Sequence, residues 1–222
     1  MAKGSGMIEP NMATMLAFAF TDAGVEGPVL DTVLREVVDV TFNMLSVDTD
    51  TSTSDTCAIL ANGLSGPVGV DDLRAALLEA FTRVTEMLAR DGEGATTLVR
   101  VTVTGAADAA EARTVAKSLV NSPLVKTMVF GGDPNVGRVL MAVGKCLDCT
   151  VRPDAIGASV CGVPVLARGA KTGFDEKAVR RLLRGDPVDI EVDLGVGEGR
   201  ARAWGCDLTH GYVDENAAYY SS

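Results

Sequence analysis

The stretch Leu98-Val-Arg-Val-Thr-Val103 is the clearest strand signal in the chain. Apolar and polar residues alternate along it and most are β-branched, a pattern that favours a strand with one buried face. The segment 108–120 follows, with apolar residues at helical spacing. A strand followed at once by an amphipathic helix predicts a helix layer packed on a sheet.

The same alternation continues in both directions from this unit. Upstream, the pattern predicts strands at residues 14–20 and 57–60 and helices at 29–45 and 71–89. Downstream, it predicts helices at 134–143 and 175–183, a hairpin around 161–164, and strands at 188–194 and 200–205. No period repeats along the chain. The expected fold class is therefore an α/β layered, helix-sheet-helix sandwich, with the direction of the strands left open.

Composition and charge narrow the classes of function. The 222 residues carry 20 basic and 30 acidic side chains, a formal net charge of −10, and 47% of them are hydrophobic. An acidic chain repels phosphate backbones and anionic lipid surfaces, so neither nucleic acid nor a membrane is expected as a partner. No apolar stretch reaches the roughly 20 residues that span a bilayer, and no secretory leader is recognisable. A cytoplasmic location is expected.

The cysteines and the single histidine make a metal site or a disulfide framework unexpected. The five cysteines are odd in number and scattered, so reduced thiols are expected. Cys146 and Cys149 form a C-x-x-C pair, but no second pair follows at zinc-site spacing, and the two thiols are interpreted as incidental. His210 is alone and cannot build a multi-histidine site, so a structural role is favoured.

The chain contains an acidic and hydroxyl-rich tract, Asp48-Thr-Asp-Thr-Ser-Thr-Ser-Asp55. It could be interpreted as a calcium-binding loop or as a phosphatase motif. An EF-hand loop needs Gly and Glu where this chain has Thr53 and Ile59, which excludes calcium binding of that type. The tract also approaches the D-x-D-x-T motif of haloacid-dehalogenase-type phosphatases, with Ser52 in place of the final threonine. A solvated loop whose hydroxyls cap the next element is the favoured interpretation.

Three glycine clusters, at residues 92–94, 131–137 and 195–199, could suggest phosphate cradles. None matches a P-loop or the full G-x-G-x-x-G motif, and each contains an acidic residue, so turns are favoured. Within the second cluster, Asp133 and Pro134 predict the N-cap and first residue of a helix.

The amino-terminal residues Ala2-Lys-Gly-Ser-Gly-Met-Ile-Glu-Pro-Asn-Met-Ala-Thr-Met-Leu-Ala17 place a hydroxyl at the start of an apolar strand, after a glycine-rich loop. This string closely resembles the processing site of the ornithine acetyltransferases, a family also called glutamate N-acetyltransferase. The likeness continues through five motifs spread over essentially the whole chain: 46–56, 91–95, 121–127, 132–138 and 206–212.

The resemblance implies a fold like that of the N-terminal-nucleophile (DmpA/ornithine acetyltransferase-like) proteins, with a smaller α+β carboxy-terminal domain. It also implies autocatalytic cleavage between Ala13 and Thr14, which makes Thr14 a new amino terminus. An α-amine with an ordinary pKa of about 8 is a usable base beside the hydroxyl it activates. The implied reaction is ping-pong transfer of an acetyl group from N-acetyl-L-ornithine to L-glutamate through acetyl-Thr14, in arginine biosynthesis. No cofactor is implied, and acetyl-CoA is left open as a co-substrate.

The family's site residues are carried over where the motifs match. They make Thr14 catalytic and place Lys3, Thr14, Glu93, Asn216 and Ser221 in contact with substrate. The residue types suit an amino-acid ligand, because Lys3 can meet a carboxylate and Glu93 an ammonium, while Asn216 and Ser221 can orient polar ends.

The resemblance also suggests how the chain is divided. Residues 1–13 are expected to be a remnant of the α chain, 14–120 the domain that bears the nucleophile, and 121–222 a carboxy-terminal α+β domain. The family precursor is almost twice as long, and its upstream half supplies a Thr-Gly pair that forms the oxyanion hole. The expected partner is therefore that α chain, in an α2β2 heterotetramer.

Two departures from the family pattern leave alternatives open. Val136 stands where the family commonly carries Trp, and Thr49 where many members carry Gly, a pattern similar to the branch found with clavulanic-acid biosynthesis. A paralogue with a different acyl acceptor is one alternative. A fragment or pseudoenzyme that keeps the fold without activity is a second, and the phosphatase is a third.

Overall fold

The computed structural model describes residues 1–9, 15–51 and 56–218. The strands of this part of the chain are β1 (Ala2–Lys3), β2 (Leu16–Thr21), β3 (Thr56–Ala61), β4 (Leu98–Ala106), β5 (Gly157–Val160), β6 (Val163–Ala167), β7 (Ala170–Lys171), β8 (Val188–Asp193) and β9 (Gly199–Cys206). The helices are α1 (Gly27–Val40), α2 (Val70–Arg90), α3 (Ala109–Val120), α4 (Pro123–Gly131), α5 (Gly137–Gly144), α6 (Glu176–Leu182) and α7 (His210–Ala217).

The smaller sheet has three strands in the order β1-β2-β3. β2 and β3 run parallel, in a register that places Leu16 beside Thr56 and Phe20 beside Leu60, while β1 pairs antiparallel with β2. Two parallel neighbours require a crossover connection, which α1 supplies. Strand β2 of this sheet begins two residues after Thr14.

The larger sheet has six strands in the order β7-β6-β5-β8-β4-β9. β4 is parallel to β8 and antiparallel to β9, so the strand that the sequence predicts most clearly lies inside the sheet. Val101 and Val103 of β4 are fully buried. The side chains of Arg100 and Thr102, which alternate with these valines along the strand, point to the other face, as the two-residue period of a strand requires.

Helices cover both faces of this sheet near β4 and β9. α3 packs on the face that buries Val101 and Val103, and α2 packs on the other. On the α2 side, buried Trp204 donates from Nε1 to Glu86 at 3.3 Å. Arg100 lies beside them, with Nε 2.7 Å from Asp189. The predicted helix-sheet-helix layering is confirmed.

The predicted helix at 134–143 begins later than expected, and the N-cap assignment of Asp133 is wrong. An unpredicted helix, α4, precedes it and ends in a left-handed residue, Gly132, with φ +59°. The backbone N–H of Asp133 donates to the carbonyl of Met128 at 2.9 Å, so this aspartate closes α4. α5 starts only at Gly137, after Val136.

Two more differences have local causes. The helix predicted to reach residue 45 ends at Val40, where Thr41 leaves helical geometry with φ −121° and ψ −89°, and a 3-10 turn follows at Phe42–Met44. α7 was not predicted because it buries none of its side chains and so lacks an apolar period.

The predicted boundary at residue 120 falls between strands of one sheet. β4 comes from before this residue, and its neighbours β8 and β9 come from after it. Both predicted domains therefore contribute to the six-stranded sheet, and the division at residues 13 and 120 stays a prediction. None of the helices in the described parts of the chain is long and apolar enough to cross a membrane.

Candidate active site

The carboxylate of Asp48 anchors the amino-terminal segment. Its Oδ2 accepts the backbone N–H of Met7 at 2.7 Å, and its Oδ1 accepts that of Ile8 at 2.9 Å. The backbone N–H of Val47 donates in return to the carbonyl of Ile8 at 2.8 Å. Hydrogen bonds to an ionised acceptor are roughly twice as strong as neutral ones. These contacts fix the backbone only six residues before Thr14.

A largely buried ion pair fixes the next residue. Glu9 Oε1 lies 2.7 Å from Lys117 Nζ, with each side chain 19% exposed, and accepts from Asn121 Nδ2 at 3.2 Å. Lys117 also donates to the carbonyl of Leu45 at 2.8 Å. Burial lowers the pKa of Lys117, and the Glu9 carboxylate opposes that shift. The pair ties Glu9, the last described residue before the predicted cleavage site, to the end of α3.

The chain beyond the predicted cleavage site is held by β2 and β3. Met15 is fully buried, and its carbonyl accepts the backbone N–H of Thr56 at 3.1 Å. Ala13 and Thr14 themselves lie outside the described residues. The chain on both sides of them is fixed by separate contacts.

The carboxylate of Glu93 lies against the glycine-rich loop. Asn216 Nδ2 donates to Glu93 Oε2 at 2.9 Å, and the backbone N–H of Glu93 donates to the carbonyl of Ser5 at 2.8 Å. A Cβ on Gly6 would stand 2.2 Å from Glu93 Cδ. A side chain at this position would displace the Glu93 carboxylate, so the loop and the carboxylate are considered as one unit.

Gly94 brings the amino-terminal end of α7 to this unit. Its φ is +63°, and a Cβ there would lie 2.1 Å from the backbone nitrogen of Tyr212. The Thr209 hydroxyl donates to the carbonyl of Gly94 at 2.5 Å. Asp207 secures the same segment by accepting the backbone N–H groups of Thr96 and Thr97 at 2.8 and 3.0 Å. Asn216 reaches Glu93 because α7 is docked here.

Tyr212 connects the Asp48 and Glu93 contacts. Its hydroxyl donates to Asp48 Oδ2 at 3.5 Å, and its carbonyl accepts Asn216 Nδ2 at 2.9 Å. Burial, followed by the negative charges of Asp48, Asp50 and Glu93, raises the pKa of Tyr212. The phenol therefore stays protonated at neutral pH and acts as a donor.

A buried lysine stands behind these contacts. Lys126 is 5% exposed, and its Nζ donates to the carbonyl of Val47 at 2.8 Å and to Cys206 Sγ at 3.6 Å. Burial is the main cause that raises the pKa of Cys206, and the Lys126 charge opposes it. Gly92 packs over this sulfur, since a Cβ on it would lie 2.9 Å away. The lysine thereby supports the backbone next to Asp48.

Thr49, the residue after Asp48, adopts a left-handed backbone with φ +71°. A β-branched residue is strained in this conformation, which glycine adopts without cost. The strain gives a physical reason for glycine at this position in many members of the family that the sequence resembles.

The structure brings together two of the predicted site residues, Glu93 and Asn216. Lys3 is exposed on β1 and lines a cleft of about 580 Å³ with Asp91 and the end of α2. Its ammonium takes part in none of the hydrogen bonds or ion pairs found among residues 1–9, 15–51 and 56–218. Ser221 lies outside the described residues. The assignments of Thr14, Lys3, Glu93, Asn216 and Ser221 as site residues stay predictions.

The other sequence candidates have local structural roles. His210 begins α7 and meets the ring of Phe130 edge-on, with 5.9 Å between ring centroids. All five cysteines are free. Within the described ranges, no group of three or more His, Cys, Asp or Glu side chains is arranged to hold a metal ion.

Sequence reasoning missed the roles of Asp48, Gly6, Tyr212 and Lys126. All but Gly6 lie in motifs quoted for the family resemblance, and Gly6 lies in the processing string. Their contacts, however, join residues that are about 40 to 160 positions apart. The spacing of residues within a short stretch cannot reveal such pairs. Correlated substitution of the two positions among related sequences could reveal them.

A layered α/β sandwich, with polar contacts that fix the chain up to Glu9 and from Met15 onward, defines the class. The fold is of the N-terminal-nucleophile type. The comparisons with known proteins narrow the class to one family. The chain belongs to the ArgJ family, whose profile matches residues 1–221.

Named relatives agree with this placement. The arginine biosynthesis bifunctional protein ArgJ of Rhodococcoides fascians is 50% identical over 98% of this chain and 55% of its own length. Glutamate N-acetyltransferase Oat2 of Streptomyces clavuligerus is 48% identical over 98% of this chain and 57% of its own length. The chain thus spans little more than half the length of these curated relatives.

A solved structure confirms the fold. The crystal structure of the arginine biosynthesis bifunctional protein argJ from Bacillus halodurans matches with a TM-score of 0.90 and 41% identity. The match covers 93% of this chain and 100% of that chain. The resemblance inferred from the motifs is therefore confirmed at the level of family and fold.

Gly94→Ala tests the close approach of α7 to the Glu93 loop. A methyl group at Gly94 collides with the backbone of Tyr212, whereas Gly66 has a similar φ of +76° and nothing within 4 Å of an added Cβ. We expect Gly66→Ala to cost about 1 kcal/mol of unfolding free energy from backbone strain alone. Gly94→Ala should cost at least about 2 kcal/mol more because the helix must shift.

Urea unfolding followed by circular dichroism measures both variants. Equal losses of unfolding free energy in Gly94→Ala and Gly66→Ala would contradict the tight docking of α7.

Proposed function

We propose that this chain carries the nucleophile of an acyltransferase that moves an acetyl group from N-acetyl-L-ornithine to L-glutamate, as a step of arginine biosynthesis. Membership of the ArgJ family over residues 1–221 is the observation that carries the proposal. The printed names of the relatives include both arginine biosynthesis and glutamate N-acetyltransferase. The substrates are accordingly small amino-acid derivatives.

Self-cleavage between Ala13 and Thr14 prepares the nucleophile. The Thr14 hydroxyl attacks the carbonyl of Ala13, the acyl group moves from nitrogen to oxygen, and water hydrolyses the ester. The fixed backbone at Ile8, Glu9 and Met15 supports this step, because an intramolecular attack needs both ends of the reacting segment held in place. The crystal structure from Bacillus halodurans also supports this step. The match includes all of that chain and 93% of this one, so a separate polypeptide of about this extent occurs there.

The new amino terminus then serves as its own base. The α-amine of Thr14 accepts the proton of the hydroxyl as the hydroxyl attacks the acetyl carbonyl of N-acetylornithine. Ornithine leaves, acetyl-Thr14 remains, and the amine of glutamate takes the acetyl group in the second half-reaction. This mechanism needs no histidine near the nucleophile, and His210 is occupied against Phe130.

Glu93 is the proposed contact for a substrate ammonium. Only its Oε2 is used in the hydrogen bonds found within the described ranges, which leaves Oε1 for a ligand. Asn216 holds the carboxylate in place and can turn its amide oxygen to the same ligand. Lys3 is proposed to meet a substrate carboxylate, and Ser221 to orient a polar end.

The proposed protein partner is a polypeptide that corresponds to the upstream half of the relatives, in an α2β2 assembly. The outward face of β2 and β3 supports this partner, since Phe20 and Leu60 are neighbours there and are 67% and 52% exposed. An apolar sheet face open to water is typical of a surface that another element covers. In the family resemblance the same upstream half supplies the oxyanion donors.

Replacement of Thr14 tests the nucleophile. With the upstream half of the Rhodococcoides fascians relative supplied in the same precursor, we expect the wild-type chain to be cut without a protease. Thr14→Ala should remain one polypeptide and transfer no acetyl group, whereas Thr14→Ser keeps a hydroxyl and a future α-amine and should still be cut. Intact mass and an ornithine-release assay measure the two properties. Transfer by an uncut wild-type precursor would contradict the proposal.

Glu93→Gln tests recognition of the substrate ammonium. Loss of the negative charge should lower kcat/KM for N-acetylornithine by about 2 to 5 kcal/mol in transition-state free energy if the pair is desolvated. Cleavage at Thr14 should be unchanged. Glu198→Gln, the same change at an exposed glutamate in the 195–199 turn, is the matched control. Normal kinetics in a correctly cut Glu93→Gln protein would remove Glu93 from the substrate site.

The lone 222-residue chain should associate with itself and turn over almost nothing. Loss of one preorganised oxyanion donor costs roughly 100- to 1,000-fold in rate, and the partner would supply two. Adding the upstream half should restore transfer. Phe20→Ser with Leu60→Ser should weaken the self-association of the lone chain by roughly 100-fold, since each buried apolar side chain contributes about 1.5 kcal/mol.

Leu147→Ser removes an apolar side chain of similar size that is 88% exposed in a surface turn, and serves as the control. Association is measured by sedimentation, and transfer by ornithine release. Full activity of the lone chain would show that the oxyanion donors lie within residues 1–222.

A further inference from the structure

Cys146 and Cys149 form a pair of neighbouring thiols in a surface turn after α5. The backbone N–H of Cys149 donates to the carbonyl of Cys146 at 3.1 Å. Such a four-residue turn keeps its end Cα atoms within about 7 Å, which overlaps the range of about 4.4 to 6.8 Å seen across disulfides. The turn therefore places the two cysteines within the backbone separation that a disulfide spans. The backbone turn is compatible with a bond between them in the folded chain.

The turn is held in this shape by its neighbours. Glu111, in the first turn of α3, accepts the backbone N–H of Thr150 at 2.9 Å and its hydroxyl at 3.0 Å. Cys149 Sγ lies 4.0 Å from the carbonyl of Glu111, and Cys146 Sγ lies 3.6 Å from that of Ala142. Because the backbone is already fixed, closing a bond between the sulfurs orders little additional chain.

The two thiols are reachable from solvent. Both are half-buried, and Leu147 between them is almost fully exposed. Two of the other three cysteines differ from this pair. Cys206 is buried, and burial raises the pKa of Cys57 to about 11.

The charges around the pair are opposite to those of strongly oxidising C-x-x-C sites, which lie at helix amino termini. This turn follows the carboxyl end of α5. The pKa of Cys149 is raised by burial first, and then by Cys146, Glu111 and Asp148. An environment that does not stabilise a thiolate favours the disulfide over the reduced pair.

We propose that Cys146 and Cys149 form a reversible intramolecular disulfide by exchange with a small disulfide of the glutathione type. One cysteine thiolate attacks the small disulfide, whose S–S bond breaks and releases one thiol. The second cysteine thiolate attacks the mixed disulfide and releases the other thiol. The protein loses two electrons and two protons, and the small disulfide is reduced to two thiols. Excess small thiol reverses both steps.

The test equilibrates the full 222-residue chain, folded, with mixtures of reduced and oxidised glutathione at neutral pH. The reaction is quenched with acid, the protein is unfolded, and free thiols are labelled with a maleimide and counted by intact mass. We expect three labels on the oxidised monomer and five on the reduced one, because five cysteines are present. Fragmentation of the oxidised chain should place the bond between Cys146 and Cys149.

Matched variants separate the pair from the other cysteines. Cys161→Ser should oxidise at the same glutathione ratio as the wild type. Cys146→Ser and Cys149→Ser each keep one thiol of the pair and cannot form the internal bond, so they should not lose two labels together. Their remaining thiol should need at least about 10-fold more oxidised glutathione to form a mixed disulfide.

Five labels at every ratio would overturn the proposal. So would a bond that involves Cys57, Cys161 or Cys206, or oxidation that occurs only in the unfolded chain or only between two molecules.

Discussion

The candidate site depends on the hydrogen bonds that the carboxylate of Asp48 accepts. This carboxylate accepts the backbone N–H groups of Met7 and Ile8 and so turns a short polar segment into a fixed part of the fold. Hydrogen bonds to a carboxylate satisfy these amides at two points, which gives direction as well as strength. The ion pair between Glu9 and Lys117 holds the next residue as well, towards the proposed nucleophile Thr14.

Close backbone approaches join this segment to α7. Gly6 lets the glycine-rich loop lie on the Glu93 carboxylate, and Gly94 lets α7 lie on the following turn. Asn216 and Tyr212 then reach Glu93 and Asp48 from one helix. α7 buries none of its own side chains, so this docking depends on polar and backbone contacts. The site is accordingly built from four separated parts of the sequence.

The two sheets stand in different environments. The larger one is buried by helices on both faces near β4, and the core residues Val101 and Val103 are fully shielded. The smaller one leaves the Phe20 and Leu60 side chains open to solvent. A difference of this kind fits a chain that spans little more than half of its relatives' length and carries the proposed nucleophile beside its open sheet. The interaction proposed for that face rests on this contrast.

The sequence by itself determined the layered α/β class, most of the strands and helices, and the family. Strands such as β4 and helices such as α3 have periodic apolar residues, because local burial on one face leaves a local pattern. The family followed from long motifs that include Glu93 and the Ala13–Thr14 pair. Only the tertiary structure decided the strand directions, the late start of α5, the existence of α7, and the contacts of Asp48, Tyr212 and Lys126. Strand direction and these contacts join residues far apart in the chain, while α5 and α7 are set by a neighbouring cap and by docking, and none of these leaves an apolar period in the sequence.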